Sequence, residues 1–427
     1  EVEKSLEVEK HSSLLHEPYS GVYVNSKEVK AGALFFAIPG AKTDGHLFLQ
    51  DAAMNGAKAA VVRKEYSGDS FGLTLIRVDD TLQALQKAAE KWRKQSLAKV
   101  IAITGTVGKT TTKDFLFQLL KTKYKVSASS GNKNSQIGLA TVLLNETRGD
   151  EDFLVMEMGM TLPGHIKRLT EITPPHIALI TEISLVHAEN FESLEHIAEA
   201  KAEILSHPQT TLGIVNGDTQ CVDLLMNNRH CKMQSYSFTN GNDFARLPAI
   251  DFPATHLYKN LLGAISCCRA VGMSEDEIGL GMRSLKLPQL RLQEIEKNGV
   301  FFINDCYNAS PLAVNSALEV IRKKQVPGKK IAILGHMREL GKFSEESHRQ
   351  VGQSALSSVD SLFCFGQECG PLVEVWKREK RDVNWCETFE ELMTKFQKRV
   401  QKGDLVLVKG ARTLYLERVV EQFCELE

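Results

Sequence analysis

Long apolar runs are missing from this 427-residue chain, and no stretch approaches the ~18 residues that a bilayer-spanning helix needs, so membrane insertion is not expected. An excess of either charge is missing too. Lys and Arg number 52 against 53 Asp and Glu, a formal net charge of -1, so nothing draws the whole molecule to nucleic acid and any anionic ligand must be held by a local site. The nine cysteines contain no C-x-x-C pair, and only Cys267 and Cys268 are adjacent. That argues against a disulfide framework or a zinc site and predicts reduced thiols. The opening EVEKSLEVEKHSS is charged and lacks the apolar core of a signal peptide, so a cytoplasmic location is expected. No heptad run calls for a partner helix, which predicts a monomer.

What is present is the composition of an ordinary globular protein, 43% hydrophobic and 25% charged, long enough for two to four domains. The first ~95 residues form a compact segment. Within it Ala33 to Ile38 and Ala59 to Val62 read as strands, Phe48 to Asn55 as a helix and Thr81 to Ser96 as an amphipathic helix. From Lys99 short apolar runs alternate with helical patterns, the rhythm of a mostly parallel sheet. The last ~130 residues repeat it with Ile331 to Leu334, Leu362 to Phe365 and Leu405 to Val408, each soon followed by glycine. This part is Rossmann-like but lacks G-x-G-x-x-G. The predicted fold is therefore α/β in three domains, residues 1–97, 98–295 and 296–427, with a parallel-sheet phosphate-loop domain in the middle.

The most informative stretch is Val100 to Thr112, VIAITGTVGKTTT. An apolar run ends in a loop closing on Gly108-Lys109-Thr110, and a helical pattern follows at once. Gly105 and Gly108 let the backbone turn tightly, so that N–H groups of Gly105, Thr106, Val107, Gly108 and the new helix can face phosphate oxygens. Lys109 would reach the outer phosphates and the Thr110 hydroxyl would hold Mg²⁺. The spacing is G-x-x-G-K-T-T, not the common G-x-x-x-x-G-K-[ST], because Ile103 stands where that pattern has its first glycine.

Other candidates are weaker alone. Glu157, delivered by the run Phe153 to Met156, reads as a surface acid or, one strand from a phosphate loop, as a Mg²⁺ partner. Lys201 lies on or beside the apolar stripe of a helix capped by Ser193, where a lysine ordinarily snorkels to solvent. Pro39 to His46 alone reads more readily as a plain loop than as a site. Pro288 to Arg291 reads as a hinge, and Asp305 to Pro311 follows a strand where a second nucleotide-facing loop could stand.

Taken together and in order, TGTVGKTT (104–111), GNKNSQIG (131–138), EMGM (157–160), His187 with EAKAEIL (199–205), DCYNASP (305–311) and MRELG (337–341) resemble the Mur ligases, the ATP-dependent amino-acid and peptide ligases of peptidoglycan precursor synthesis. The resemblance covers nearly the whole chain. It implies a UDP-sugar domain, an ATPase domain and a C-terminal domain that closes on the amine substrate. The EMGM, DCYNASP and MRELG forms imply the dipeptide-adding branch, with UDP-N-acetylmuramoyl-tripeptide and D-alanyl-D-alanine as substrates. Gly105 to Thr111, including Thr111, would cradle ATP, with Asn260, Arg291, Asp305 and Asn308 completing the nucleotide site. Thr110 and Glu157 would hold one Mg²⁺, and His187 a second with Lys201, the lysine several relatives carbamylate. Catalysis would thus rest on Lys109, Glu157, His187 and Lys201. Ser26, Lys27, Asp44, His46, Asn132 and Asn134 would contact the UDP-sugar substrate. The sequence departs from the family at Leu257, where relatives have Asn, at Asn25 and Lys27, at His336, where an aspartate is usual, and at Ala411, which leaves Lys409 and Arg412. A sibling amino-acid ligase, a folylpolyglutamate synthase or a phosphate-loop regulatory NTPase are the alternative functions.

Overall fold

The computed structural model describes residues 19–40, 43–184, 190–227, 230–239, 247–338 and 340–424. Three sheets follow one another along the chain. The first is parallel, in the order β1 (Val22–Tyr23), β2 (Leu34–Phe36), β3 (Ala59–Arg63) and β4 (Thr74–Val78). Helix α1 (Leu49–Met54) crosses from β2 to β3, and α2 (Thr81–Gln95) leads out of the sheet. The Asp80 carboxylate caps α2 by accepting from the Leu82 and Gln83 amides, and Ala84, Leu85, Ala88 and Ala89 are buried. Such a cap contributes about 1 kcal/mol, and burying Leu85 about 2 kcal/mol.

The second sheet has six parallel strands in the order β10 (Lys232–Tyr236), β9 (Leu212–Asn216), β8 (Ile177–Ile180), β5 (Lys99–Thr104), β7 (Phe153–Glu157) and β6 (Val126–Ala128). Its helices are α3 (Lys109–Leu120), α4 (Gln136–Glu146), α5 (His165–Ile172), α6 (Leu194–Ala202), α7 (Val222–Met226), α8 (Thr255–Ala270) and α9 (Glu275–Arg283). Helix α2 packs on α4, and Trp92 Nε1 donates to Thr147 Oγ1 at 2.8 Å, tying the first domain to the second. Central strands such as β5, β7 and β8 are covered on both faces, which is why they read as continuous apolar runs.

The third sheet runs β11 (Gln293–Lys297), β12 (Val300–Asn304), β16 (Leu405–Lys409), β13 (Lys330–Gly335), β14 (Ser361–Phe365) and β15 (Asp382–Cys386). Only β11 is antiparallel. It pairs with β12, so Gln293–Lys297 lies in the third sheet. Helices α10 (Pro311–Lys323), α11 (Ser344–Leu356) and α12 (Gly370–Arg378) form one layer; α13 (Phe389–Gln397) and α14 (Arg418–Cys424) belong to the opposite core. The eight described cysteines are free thiols.

Candidate active site

The phosphate loop sits at the carboxyl end of β5, between β8 and β7. Two of its glycines have no substitute. Gly105 has φ 147°, and a Cβ there would fall 1.9 Å from Thr181 Oγ1; Gly108 has φ 89°, and its Cβ would fall 2.3 Å from Asn260 Oδ1. Asn260, on α8, thus braces the loop from behind. Lys109 opens α3 and folds back, its Nζ donating to the carbonyls of Gly105 at 2.8 Å and Thr106 at 2.9 Å. Val107 is bridged to Glu182, and the Thr106 amide donates to the Glu182 carbonyl at 2.7 Å. Thr110 and Thr111 are buried in the first turn of α3, where amides and helix dipole favour an anion.

One strand across, β7 carries Glu157 to the same level. Thr110 Oγ1 donates to Glu157 Oε2 at 2.8 Å, and Asn134 Nδ2 donates to Oε1 at 2.6 Å. The acid is 2% exposed and bonded to the loop threonine, so it is not a surface acid. A hydroxyl, a carboxylate and an amide oxygen are hard oxygen donors of the kind Mg²⁺ takes, so the residues fit that ion. Asn132 stays exposed and supplies only its carbonyl, to the Asn134 amide.

Lys201 is the main correction. It does not snorkel: it is 2% exposed on α6, and burial, with Lys109 adding to it, holds its pKa well below the ordinary lysine value. No carboxylate among the described residues pairs with it. The apolar stripe of α6 faces a packed core on both sides of the lysine, leaving its stem no route to water. His187 lies outside the described residues.

From the third domain, the Asp305–Asn308 loop and Arg291 approach this site. Arg291 stacks on the Tyr307 ring at 4.0 Å, and it sits between two residues in the left-handed region, Leu290 (φ 58°) and Leu292 (φ 48°). Each such non-glycine conformation costs on the order of 1 kcal/mol and is held by tertiary bonds, here Leu292 N–H to Asp305 Oδ1 and Tyr307 N–H to the Leu290 carbonyl. Among the described residues Arg291 Nε is buried without a hydrogen-bond partner, a donor that a bound ligand can satisfy, and the Tyr307 hydroxyl is buried beside it. Burial raises the Tyr307 phenol, which lies near Glu157 and Thr110. Asp305 is bound by Lys409, whose Nζ reaches Asp305 Oδ2 at 2.6 Å and the Asn308 carbonyl at 2.9 Å. The Asn308 side chain turns to the Ala309 amide. His256 joins this junction, pushed down to about 4 by burial, against the pull of Asp305 and with Lys409 and Arg291 adding to it. Leu257, at the family's Asn position, is in the core at 1% exposure.

The first-domain candidates stand apart and serve their own turn. Asp44 Oδ1 accepts from the His46 amide at 3.0 Å and meets His46 Nδ1 at 2.7 Å, while His46 Nε2 accepts from the Arg63 amide at 3.0 Å. Both ring nitrogens are therefore spent within the fold. Burial would raise the Asp44 carboxyl, yet the His46 contacts hold it below its ordinary value. Ser26 is buried, its carbonyl accepting from Asn55 Nδ2 at 2.9 Å, and Lys27 is exposed.

From the sequence, Tyr307 had no role of its own, and His256 and Lys409 stood only as family positions. The one available signal was Lys409, a lysine closing the otherwise apolar run Leu405–Val408.

A strand–loop–helix phosphate cradle, an acid one strand away and a third domain leaning over both define an α/β nucleotide-dependent enzyme. Family matches specify which. The Mur ligase family catalytic domain matches residues 18–93, the Mur ligase middle domain 103–265 and the Mur ligase glutamate ligase domain 290–412. The UDP-N-acetylmuramoyl-tripeptide–D-alanyl-D-alanine ligase of Bacillus subtilis is 30% identical, over 95% of this chain and 93% of its own. That of Rickettsia prowazekii is 32% identical over 94% of each. A solved MurF ligase from Thermotoga maritima, in complex with ADP, superposes with a TM-score of 0.79 at 30% identity, over 97% of this chain and 99% of its own. The chain belongs to the Mur ligase family and is an ATP-dependent ligase.

Proposed function

We propose that the enzyme joins D-alanyl-D-alanine to the terminal carboxylate of UDP-N-acetylmuramoyl-tripeptide, giving the pentapeptide precursor of peptidoglycan. The observation that carries this reading is the match of all three family domains in order across the chain, with named relatives that perform this ligation. Residues up to about 97 would hold the UDP-sugar, the middle domain ATP, and the third domain the acceptor amine, with Ser26, Lys27 and the Asp44–His46 turn, Asn132 and Asn134 on the sugar side.

Amide formation from a carboxylate needs a leaving group. The γ-phosphoryl of ATP passes to the tripeptide carboxylate, ADP leaves, and the product is an acyl phosphate. The dipeptide amine then attacks the acyl carbon, and inorganic phosphate departs with the bond electrons while the amine gives up a proton. No protein nucleophile is needed. The loop amides and Lys109 bind the phosphates, with Lys109 held close to the loop carbonyls until ligand replaces them. Arg291 supplies a charge from the third domain. Thr110 and Glu157 would hold Mg²⁺, which when bound neutralises charge on the phosphates.

Lys201 would complete a second metal set with His187 after carbamylation. Its burial supports this, because the neutral amine is the form that adds CO₂: a C–N bond forms, one proton leaves and a carboxylate-like anion results. Mass spectrometry of the intact protein under CO₂ tests it. The enzyme would work as a monomer in the cytoplasm, binding no nucleic acid, and no described helix is long and apolar enough to cross a membrane.

The deciding experiment is phosphate release with UDP-N-acetylmuramoyl-tripeptide and ATP, comparing D-alanyl-D-alanine, single amino acids and folate. Release only with the dipeptide is expected. Equal release with a single amino acid or folate would transfer the enzyme to a sibling activity, and release independent of any acceptor would make it a regulatory NTPase.

A further inference from the structure

The third sheet has a switch point of its own, where adjacent strands send the chain to opposite faces. After β13 the chain passes to the α11 layer, whereas after β16 it passes to α14 on the opposite face, where Phe423 packs on Phe302 and Phe396. Strands β13 and β16 are neighbours, with Leu334 level with Lys409. Adjacent strands that send their chains to opposite faces leave a ligand crevice beyond their carboxyl ends. Gly335 and Gly410 bring the two strand ends together there: a Cβ on Gly410 would stand 3.0 Å from Gly335 Cα.

His336 occupies this point. Its amide donates to the Phe365 carbonyl at 3.3 Å and its carbonyl accepts from Ala411 at 3.1 Å, so its backbone is tied to both neighbouring strand ends. The side chain is 8% exposed. Among the described residues neither ring nitrogen makes an aligned hydrogen bond, although Nδ1 lies 2.9 Å from Glu368 Oε2. Beside a carboxylate, a buried imidazole gains charge attraction only when it carries its second proton. The neighbouring His348 shows the contrast. Its Nε2 accepts from the Met337 amide at 3.0 Å and its Nδ1 donates to the Ser344 carbonyl at 2.7 Å, which fixes it as a neutral ring. The charged and titratable groups facing His336 are Glu368 from the loop after β14, Arg338 from its own loop and His348 from α11. Arg412, beside Ala411, is engaged with Glu417. Burial holds His336 below the ordinary imidazole value, Glu368 pulls the other way and Arg338 adds to the burial.

We propose that His336 is a positioning residue for the acceptor: a proton on its ring completes the pair with Glu368 and adds positive charge to the β13/β16 crevice, strengthening its hold on the carboxylate of the incoming dipeptide. This rests on reading the third domain as the acceptor domain. The charge acts through the field of the crevice and needs no direct contact with ligand. By linkage, bound dipeptide must favour the protonated ring to the same degree.

The test is the KM for D-alanyl-D-alanine between pH 5.5 and 8.5, with ATP and UDP-N-acetylmuramoyl-tripeptide saturating, for wild type and His336→Gln. The wild-type KM is expected to fall about fivefold more than that of the variant on acidification, a typical coupling, with the KM values for ATP and tripeptide moving alike in both. The ring proton signal of His336 should titrate at higher pH with dipeptide present, and Glu368→Gln should move that titration to lower pH. Identical dipeptide profiles in wild type and His336→Gln would overturn the proposal, as would a variant in which all three KM values rise together. Should His336→Gln fail to fold, the titration with and without dipeptide decides, on Glu368→Gln and wild type. Absence of any ligation with the dipeptide would overturn the functional reading itself, and this proposal with it.

Discussion

Lys201 in the second domain and Lys409 in the third are both buried, 2% and 1% exposed, yet their surroundings are opposite. Lys409 ends a fully covered strand and meets a carboxylate and two carbonyls, so its ammonium is paid for in full by Asp305 and the Asn308 loop. Lys201 meets the like charge of Lys109 and, among the described residues, no carboxylate. Burial without an anion favours the neutral amine; burial with one favours the ion. Lys409 therefore holds two chain segments together, whereas Lys201 has no anion among the described residues to hold. The same contrast separates His348, with both nitrogens bonded, from His336, with neither aligned.

The comparison can be broken at several points. Lys109→Ala should reduce ligation by at least about a thousandfold with the fold intact, because the transferring phosphoryl loses its principal cation; substantial residual phosphate release, with an unchanged circular dichroism spectrum, would remove Lys109 from the site. Lys409→Met should cost about 3–5 kcal/mol in urea unfolding, since it strands the buried Asp305 carboxylate. The double variant Lys409→Met/Asp305→Asn should recover much of that loss, and no recovery would mean that the pair is not the source of the stability.

Lys201→Met should do the reverse, leaving urea stability unchanged or higher while lowering kcat on the order of a hundredfold. Equal losses of stability in the two methionine variants would erase the distinction drawn between the lysines.

A smaller effect follows from His256. Its folded pKa, pushed down to about 4, lies below the ordinary value of 6.5. Between those values the unfolded chain binds a proton that the folded one does not, so stability falls as pH drops from about 6.5 to 4, by on the order of 3 kcal/mol at most. His256→Gln should flatten that part of the melting temperature against pH, and an unaltered slope would assign the acid sensitivity to other groups.

The parts legible in the sequence are those where one strong local cause acts. β5, β7, β8, β13, β14 and β16 are buried on both faces and read as apolar runs, and the phosphate loop announces itself by glycines and a helix start. Edge strands escaped. β10 (KMQSY), β11 (QEIEK) and β15 (DVNWC) keep half of their residues in solvent and carry the charges that protect a sheet edge, so their composition resembles loop. Ser193 was readable as a cap, and its hydroxyl does accept from the His196 amide.

For the site, sequence order alone brought out Gly105 to Thr111, Glu157 and the Asp305–Asn308 loop, because each follows directly on a strand whose carboxyl end must face the ligand side of a parallel sheet. It did not show that Thr110 and Glu157 are bonded across 47 positions, that Lys201 is sealed from water, or that Lys409 and Asp305 pair across 104. Those are facts about which residues far apart in the chain become neighbours, and they set the protonation of each group through burial and partner charge. The chain by itself determined the phosphate loop, the three α/β units and the family; the tertiary structure alone decided which buried lysine is paired, which histidine has both ring nitrogens bonded, and where neighbouring strands of the third sheet send their chains to opposite faces. The physical reason is that backbone conformation answers to neighbours a few residues away, whereas desolvation and charge pairing answer only to neighbours in space.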